Sequence, residues 1–171
     1  GKGVRGNYLE AVKRVGRGNI PDEPGSDFIQ FKGRLFNFNT REIREATPET
    51  FATNPIPWNI GLTSDTPIMD RLFTEWVGES WRPTLYELIA YCCTTKYPIH
   101  TIFALVGIGR NGKSSFIKVL SKFLGKNNLC SADLDQLVEG RFETAKLYRK
   151  TACLLNETNY SIVERTSKLK A

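Results

Sequence analysis

The residues with the most chemical content are Gly107, Gly109, Asn111, Gly112, Lys113 and Ser114, which set out the spacing G-x-x-x-x-G-K-S over residues 107–114. Glycines let the backbone curl until several N–H groups point inward, and such a concave ring of donors fits phosphate oxygens. A helix that begins where the loop ends adds its positive dipole end. Lys113 can reach the β- and γ-phosphates of a nucleotide, and the Ser114 hydroxyl can ligate Mg²⁺. The expected binding set is Gly107, Ile108, Gly109, Arg110, Asn111, Gly112, Lys113, Ser114 and Ser115. A glycine turn without a nucleotide is the bland alternative, and the flanking pattern argues against it.

Nucleotide hydrolysis also needs an acid to hold Mg²⁺ or to orient the attacking water. Thr151–Leu155 (TACLL) is apolar and reads as a buried strand, and it runs into Asn156-Glu157-Thr158-Asn159. An acid at the carboxyl end of a parallel strand lies at the crevice where such sheets bind ligands. Glu157 is the candidate for that catalytic and metal-binding role. Its alternative is an ordinary Glu in a strand-to-helix turn, because Ser161–Leu169 has a helical pattern.

These residues require a strand, a loop and a helix in that order. Thr101–Val106 (TIFALV) is a continuous apolar run, as in a strand covered on both faces of a parallel sheet. Ser115–Leu124 repeats Phe116, Val119, Leu120 and Phe123 at helical spacing, and Gly125 can stop it. Between loop and acid, Leu129–Ser131 reads as a short strand, and Asp133–Val138 and Phe142–Tyr148 read as helices.

Upstream, Asn7–Val15 has the pattern of a short helix, and residues 16–27 read as a linker rich in Gly, Pro and Asp. Phe28–Phe31 and Arg34–Phe38 flank Lys32-Gly33, a hairpin signal. Phe51–Trp58 contains Pro55 and Pro57, which suits an extended edge segment. From Pro67, apolar residues Ile68, Leu72, Phe73, Trp76 and Val77 predict an amphipathic helix stopped by Gly78. Leu85, Leu88, Ile89 and Cys92 predict a second helix, with Pro83 near its start. The aromatic residues of both helices are read as core. A boundary is expected near residue 98, dividing the chain into 1–27, 28–98 and 99–171.

The 171 residues carry a net charge of +6. Residues 1–98 are balanced, so residues 99–171 hold the whole excess. A basic half points to nucleic acid or nucleotide phosphates, with a solvated basic face as the alternative. No apolar run approaches the roughly 18 residues of a membrane span, and Gly1–Arg17 has no apolar block of the signal-peptide kind. A soluble cytoplasmic protein with no membrane partner is the expectation. The four cysteines form no C-x-x-C pair and His100 is the only histidine, so free thiols are expected rather than a zinc site.

Taken together, these motifs make the chain resemble the superfamily 3 helicases of phage and plasmid primase–helicases related to the poxvirus primase–helicase. The loop has the G-x-G-x-N-G-K-S form, followed by Phe116, and Arg141-Phe142-Glu143 with Thr151–Glu157 is similar to the approach to the acidic strand. Phe28–Phe38, Thr47-Pro48-Glu49, Thr53–Pro57 and Phe73–Trp76 through Tyr91 are similar to the domain before the helicase core. The resemblance spans about residues 26–165.

It implies an α/β fold: a mixed helical accessory domain with a small β-hairpin, then a P-loop, AAA+-like parallel-sheet core. It implies a ring, hexameric in most such proteins, that hydrolyses ATP with Mg²⁺ and moves along single-stranded DNA. A primase or primase–polymerase domain is often linked to such proteins. Lys113 and Ser114 would bind phosphate and metal, and Glu157 would serve the metal or the water. Asn156 stands where many AAA+ proteins have aspartate.

The sensor strand, arginine finger and DNA-contacting hairpin of that family would lie after Ala171, so a fragment holding the first half of the core is expected. An arginine finger is worth about 10³–10⁵ in rate, so slow turnover by this chain alone is expected. The rival readings are another P-loop ATPase or kinase, and a non-catalytic assembly or DNA-binding module with a vestigial ATP site.

Overall fold

The computed structural model describes residues 27–47, 52–96, 98–99, 101–140 and 143–155. The expected helix at Asn7–Val15, most of the linker, His100, Asn156, Glu157 and the helical pattern of Ser161–Leu169 lie outside the described residues. The fold combines helices with two small sheets, one antiparallel and one parallel.

The first sheet is local. Strands β1 (Phe28–Phe31) and β2 (Arg34–Asn37) pair antiparallel, with Phe31 opposite Arg34, so the expected two-residue turn is Lys32-Gly33. Gly33, the second residue of the turn, has φ of +77°, a left-handed conformation that glycine adopts without strain. A third strand, β3 (Ile43–Glu45), pairs with β2. Against the free side of β1 runs the proline-bearing segment: Ile56 N–H donates to Gln30 O (2.8 Å) and Lys32 N–H to Trp58 O (2.9 Å). It is an edge segment as expected, since its prolines cannot donate to a ladder.

Helix α1 (Pro67–Val77) begins with proline at its first position and ends at Gly78. Phe73 is fully buried, whereas Ile68, expected on the same face, is 66% exposed. In that first turn it is the neighbouring Met69 that packs against the core. Helix α2 (Arg82–Tyr91) buries Leu85. Tyr86 ties the two helices together: its hydroxyl donates to Asp70 Oδ1 (2.9 Å), and Arg82 lies 3.9 Å from the same carboxylate.

Helix α3 (Lys113–Leu124) buries Phe116, Leu120 and Leu124, at i, i+4 and i+8. These three side chains and Phe73 and Leu85 form one buried cluster, with Trp76, Leu105, Ala152 and Leu154 packed at its margin. Residues from both sides of position 98 therefore share a core. Strand β4 (Leu129–Ala132) follows, and a crossover holding the short helix α4 (Leu134–Glu139) and a 3-10 turn (Glu143–Leu147) returns to β5 (Ala152–Leu155). The turn stands where a helix to Tyr148 was expected. Strands β4 and β5 are parallel, with Cys130 beside Cys153.

One expectation fails. Thr101–Val106 forms no strand and pairs with nothing among the described residues, and Ile102, Phe103 and Val106 are 49%, 47% and 88% exposed. A strand covered on both faces needs sheet neighbours and covering helices, and the described parallel sheet is only β4 and β5. Leu105 alone reaches the core margin, and Tyr91 holds the start of the segment by donating to Ile99 O (2.8 Å).

The carboxyl end of α3 is closed by side chains from residues 54–58. Trp58 Nε1 donates to Lys122 O and Phe123 O, both at 3.0 Å, satisfying carbonyls that a helix end leaves open. Asn128, 1% exposed, donates to Leu124 O (2.7 Å) and Pro55 O (3.2 Å) and accepts from Asn54 Nδ2 (2.9 Å). Asn128→Ala would leave those groups without their partner in a dry site. The expected loss is about 2 kcal/mol, a fall in melting temperature of about 4–8 °C; unchanged thermal unfolding would contradict this role.

Candidate functional site

The loop of residues 107–112 joins the unpaired apolar segment to α3. Its outer part, Gly107–Arg110, is exposed, and Asn111, Gly112 and Lys113 are half-buried. Three residues with left-handed φ make its curvature. Gly109 has φ of +104°, Arg110 +49° and Gly112 +84°. Left-handed φ is costly for any residue with a Cβ, so Gly109 and Gly112 are needed by the shape itself, and Arg110 adopts it as a non-glycine residue.

Gly112 is also the N-cap of α3, and its carbonyl accepts the first helical bond, from Phe116 N–H at 2.8 Å. The helix thus starts at Lys113, two residues before the Ser115 start expected from the apolar spacing. The N–H groups of its first turn have no acceptor within the helix. They form the positive dipole end, and that turn contains no acidic residue to neutralise it. Ser114 and Ser115 are exposed there.

Lys113 folds back over the loop. Its Nζ donates to Gly107 O (2.9 Å) and to Asn111 Oδ1 (2.8 Å). The Asn111 amide in turn lies directly against Gly107: a Cβ built there would sit 2.9 Å from Asn111 Cγ and closer still to Nδ2. Gly107, Asn111 and Lys113 therefore close the loop into a ring. Of the expected binding set, these three touch one another, Gly112 starts the helix, and Ser114 and Ser115 lie on its first turn. Gly109 has open space beside it, and Ile108 and Arg110 face solvent. Glu157 follows the last described residue of β5 by two positions and is outside the described residues.

A contact that the spacing does not disclose lies beneath the loop. A Cβ built on Gly112 would fall 2.5 Å from Cδ1 and 2.6 Å from Cδ2 of Trp76. The indole of α1 is pressed against the loop's last glycine. The reading of Trp76 as core is thus incomplete, and the one signal available was its place in the last turn of an amphipathic helix.

The cysteines are free, and none is exposed. Burial pushes the Cys93 thiol up to about 12, and burial with the neighbouring Cys130 does the same for Cys153. Thiolate is the reactive form, so neither is a nucleophile near neutral pH.

Residues 105–171 match a family of unknown function, DUF5906. The match takes in the whole loop, α3 and both parallel strands. No curated protein matches the chain significantly. Among the described residues, no helix is long and apolar enough to cross a membrane.

Gly112→Ala places a methyl group into the Trp76 ring at a left-handed φ. The expected cost is about 2–4 kcal/mol, read as a loss of thermal stability that Ala at exposed Gly109 does not match. Equal effects at the two positions would contradict the packing of Trp76 on Gly112.

Proposed function

We propose that this chain is the ATP-binding part of a DNA helicase of the superfamily 3 type, acting in replication with Mg²⁺. The observation that carries the reading is the ring of Gly107, Asn111 and Lys113 standing over the N-terminus of α3. A lysine held only by a carbonyl and an amide oxygen can exchange both for phosphate oxygens, which bear full charge and make stronger bonds. The exposed first turn supplies backbone donors to the same anion. These features fit a nucleoside triphosphate.

In this reading Lys113 holds the terminal phosphates, and the N–H groups of residues 107–115 line them. Ser114 is exposed at the helix start, where its hydroxyl would hold Mg²⁺, and Glu157 would be the second group for the metal or for the attacking water. The metal would neutralise charge developing on the transferred phosphoryl group.

The AAA+-like architecture belongs to the same proposal: the parallel pair β4–β5 and the packing of Ala152 and Leu154 against the α3 cluster support it. Single-stranded DNA is the proposed partner, met through the basic excess of residues 99–171, in a cytoplasmic ring linked to a primase or primase–polymerase domain. Contacts to a DNA backbone release counterions and weaken as salt rises.

Calorimetry of Mg-ATP with the wild type and Lys113→Ala tests the first part. The variant is expected to bind roughly tenfold or more weakly, as befits loss of a charged hydrogen-bond donor; equal affinities would overturn the phosphate-loop reading. Anisotropy of a labelled oligothymidylate tests the second. Binding that falls as salt rises is expected, and no binding at low salt would leave a nucleotide-binding module without the helicase role.

A further inference from the structure

We propose that Trp76 is a positioning residue for nucleotide binding, setting the turn of the phosphate loop from outside it; this rests on the phosphate-loop reading above. The loop's outer residues, Gly107–Arg110, are exposed and lean on no core. Its shape must then be held where it meets packed side chains, and Gly112 is such a place.

The indole at Gly112 is itself anchored. Trp76 packs at the margin of the buried cluster, with its ring 5.6 Å from that of Phe73. Phe73 is fully buried and meets Phe116 of α3 edge-on at 5.9 Å and Tyr86 of α2 at 4.8 Å. The ring thus rests, beside Phe73, on a cluster built from three helices, and it meets the backbone of residue 112. With a Cβ excluded there, the peptide can approach the ring closely.

The consequence is directional. Rotation of Gly112 would re-aim the first N–H groups of α3 and move Lys113 relative to Gly107 and Asn111. The ring also ties the loop to α1, so nucleotide binding and the upstream helices are mechanically joined. One face of the indole is taken up by Gly112, and stacking of a base on that face is excluded.

The chain has three tryptophans, so protein labelled with 5-fluorotryptophan gives three ¹⁹F signals, and Trp76→Phe identifies the one from Trp76. On titration with Mg-ATP the Trp76 signal is expected to shift, while that of Trp81, 66% exposed on the turn between α1 and α2, stays. Calorimetry should show Trp76→Ala binding Mg-ATP roughly tenfold more weakly, with Trp76→Phe restoring most of the affinity.

A Trp76 signal unmoved at saturation, or a folded Trp76→Ala protein with wild-type affinity, would overturn the proposal. If Trp76→Ala does not fold, the wild-type ¹⁹F titration decides. Failure of the wild type to bind Mg-ATP, with Lys113→Ala as the blank, would instead overturn the phosphate-loop reading, and the proposal with it.

Discussion

Gly112 turns the chain through a left-handed φ of +84° between an exposed loop and the helix that follows, and it does so against the face of Trp76. The rest of the site depends on that junction. The helix starts at Lys113 because Gly112 caps it, and its first turn is exposed at Ser114 and Ser115. Lys113 can reach Gly107 O and Asn111 Oδ1 because the turn brings both ends of the loop together. A bulkier residue at position 112 would disturb all three relations at once.

Helix α3 is held at both ends by residues that precede it by far in sequence. At its start stands Trp76. At its end stand Trp58, whose indole donates to the last carbonyls, and Asn54, paired with buried Asn128. Gly125, which ends the helix, sits so close to Pro57 that a Cβ there would lie 2.9 Å from its ring. Between the ends, Phe116, Leu120 and Leu124 share their core with Phe73 and Leu85. The region before the loop is thus a brace for α3.

Local signals in the sequence carry into the structure well. The hairpin at Lys32-Gly33, the stops at Gly78 and Gly125, and the extended Pro55–Trp58 edge each depend on one or two residues whose backbone preferences act within a few positions. Thr101–Val106 shows the opposite case. An apolar run reports that a segment can be buried, while strand pairing depends on partners elsewhere in the chain, and the described ones do not reach it. The loop's turns were legible because Gly109 and Gly112 mark positions where the backbone takes a left-handed φ, and the start of α3 follows from them. The Trp76 contact was not, because its partner lies 36 positions away and nothing in either residue alone names the other. Glu157 stands on its order after β5 and nothing more.

The central claim is that residues 107–115 form a cradle of backbone donors for nucleotide phosphates. Hydrogen–deuterium exchange of the amides in this segment, with and without saturating Mg-ATP, tests it most directly. Protection should concentrate on residues 107–115, with a smaller response at the end of α1. Unchanged exchange in that segment, with protection appearing elsewhere, would contradict the account.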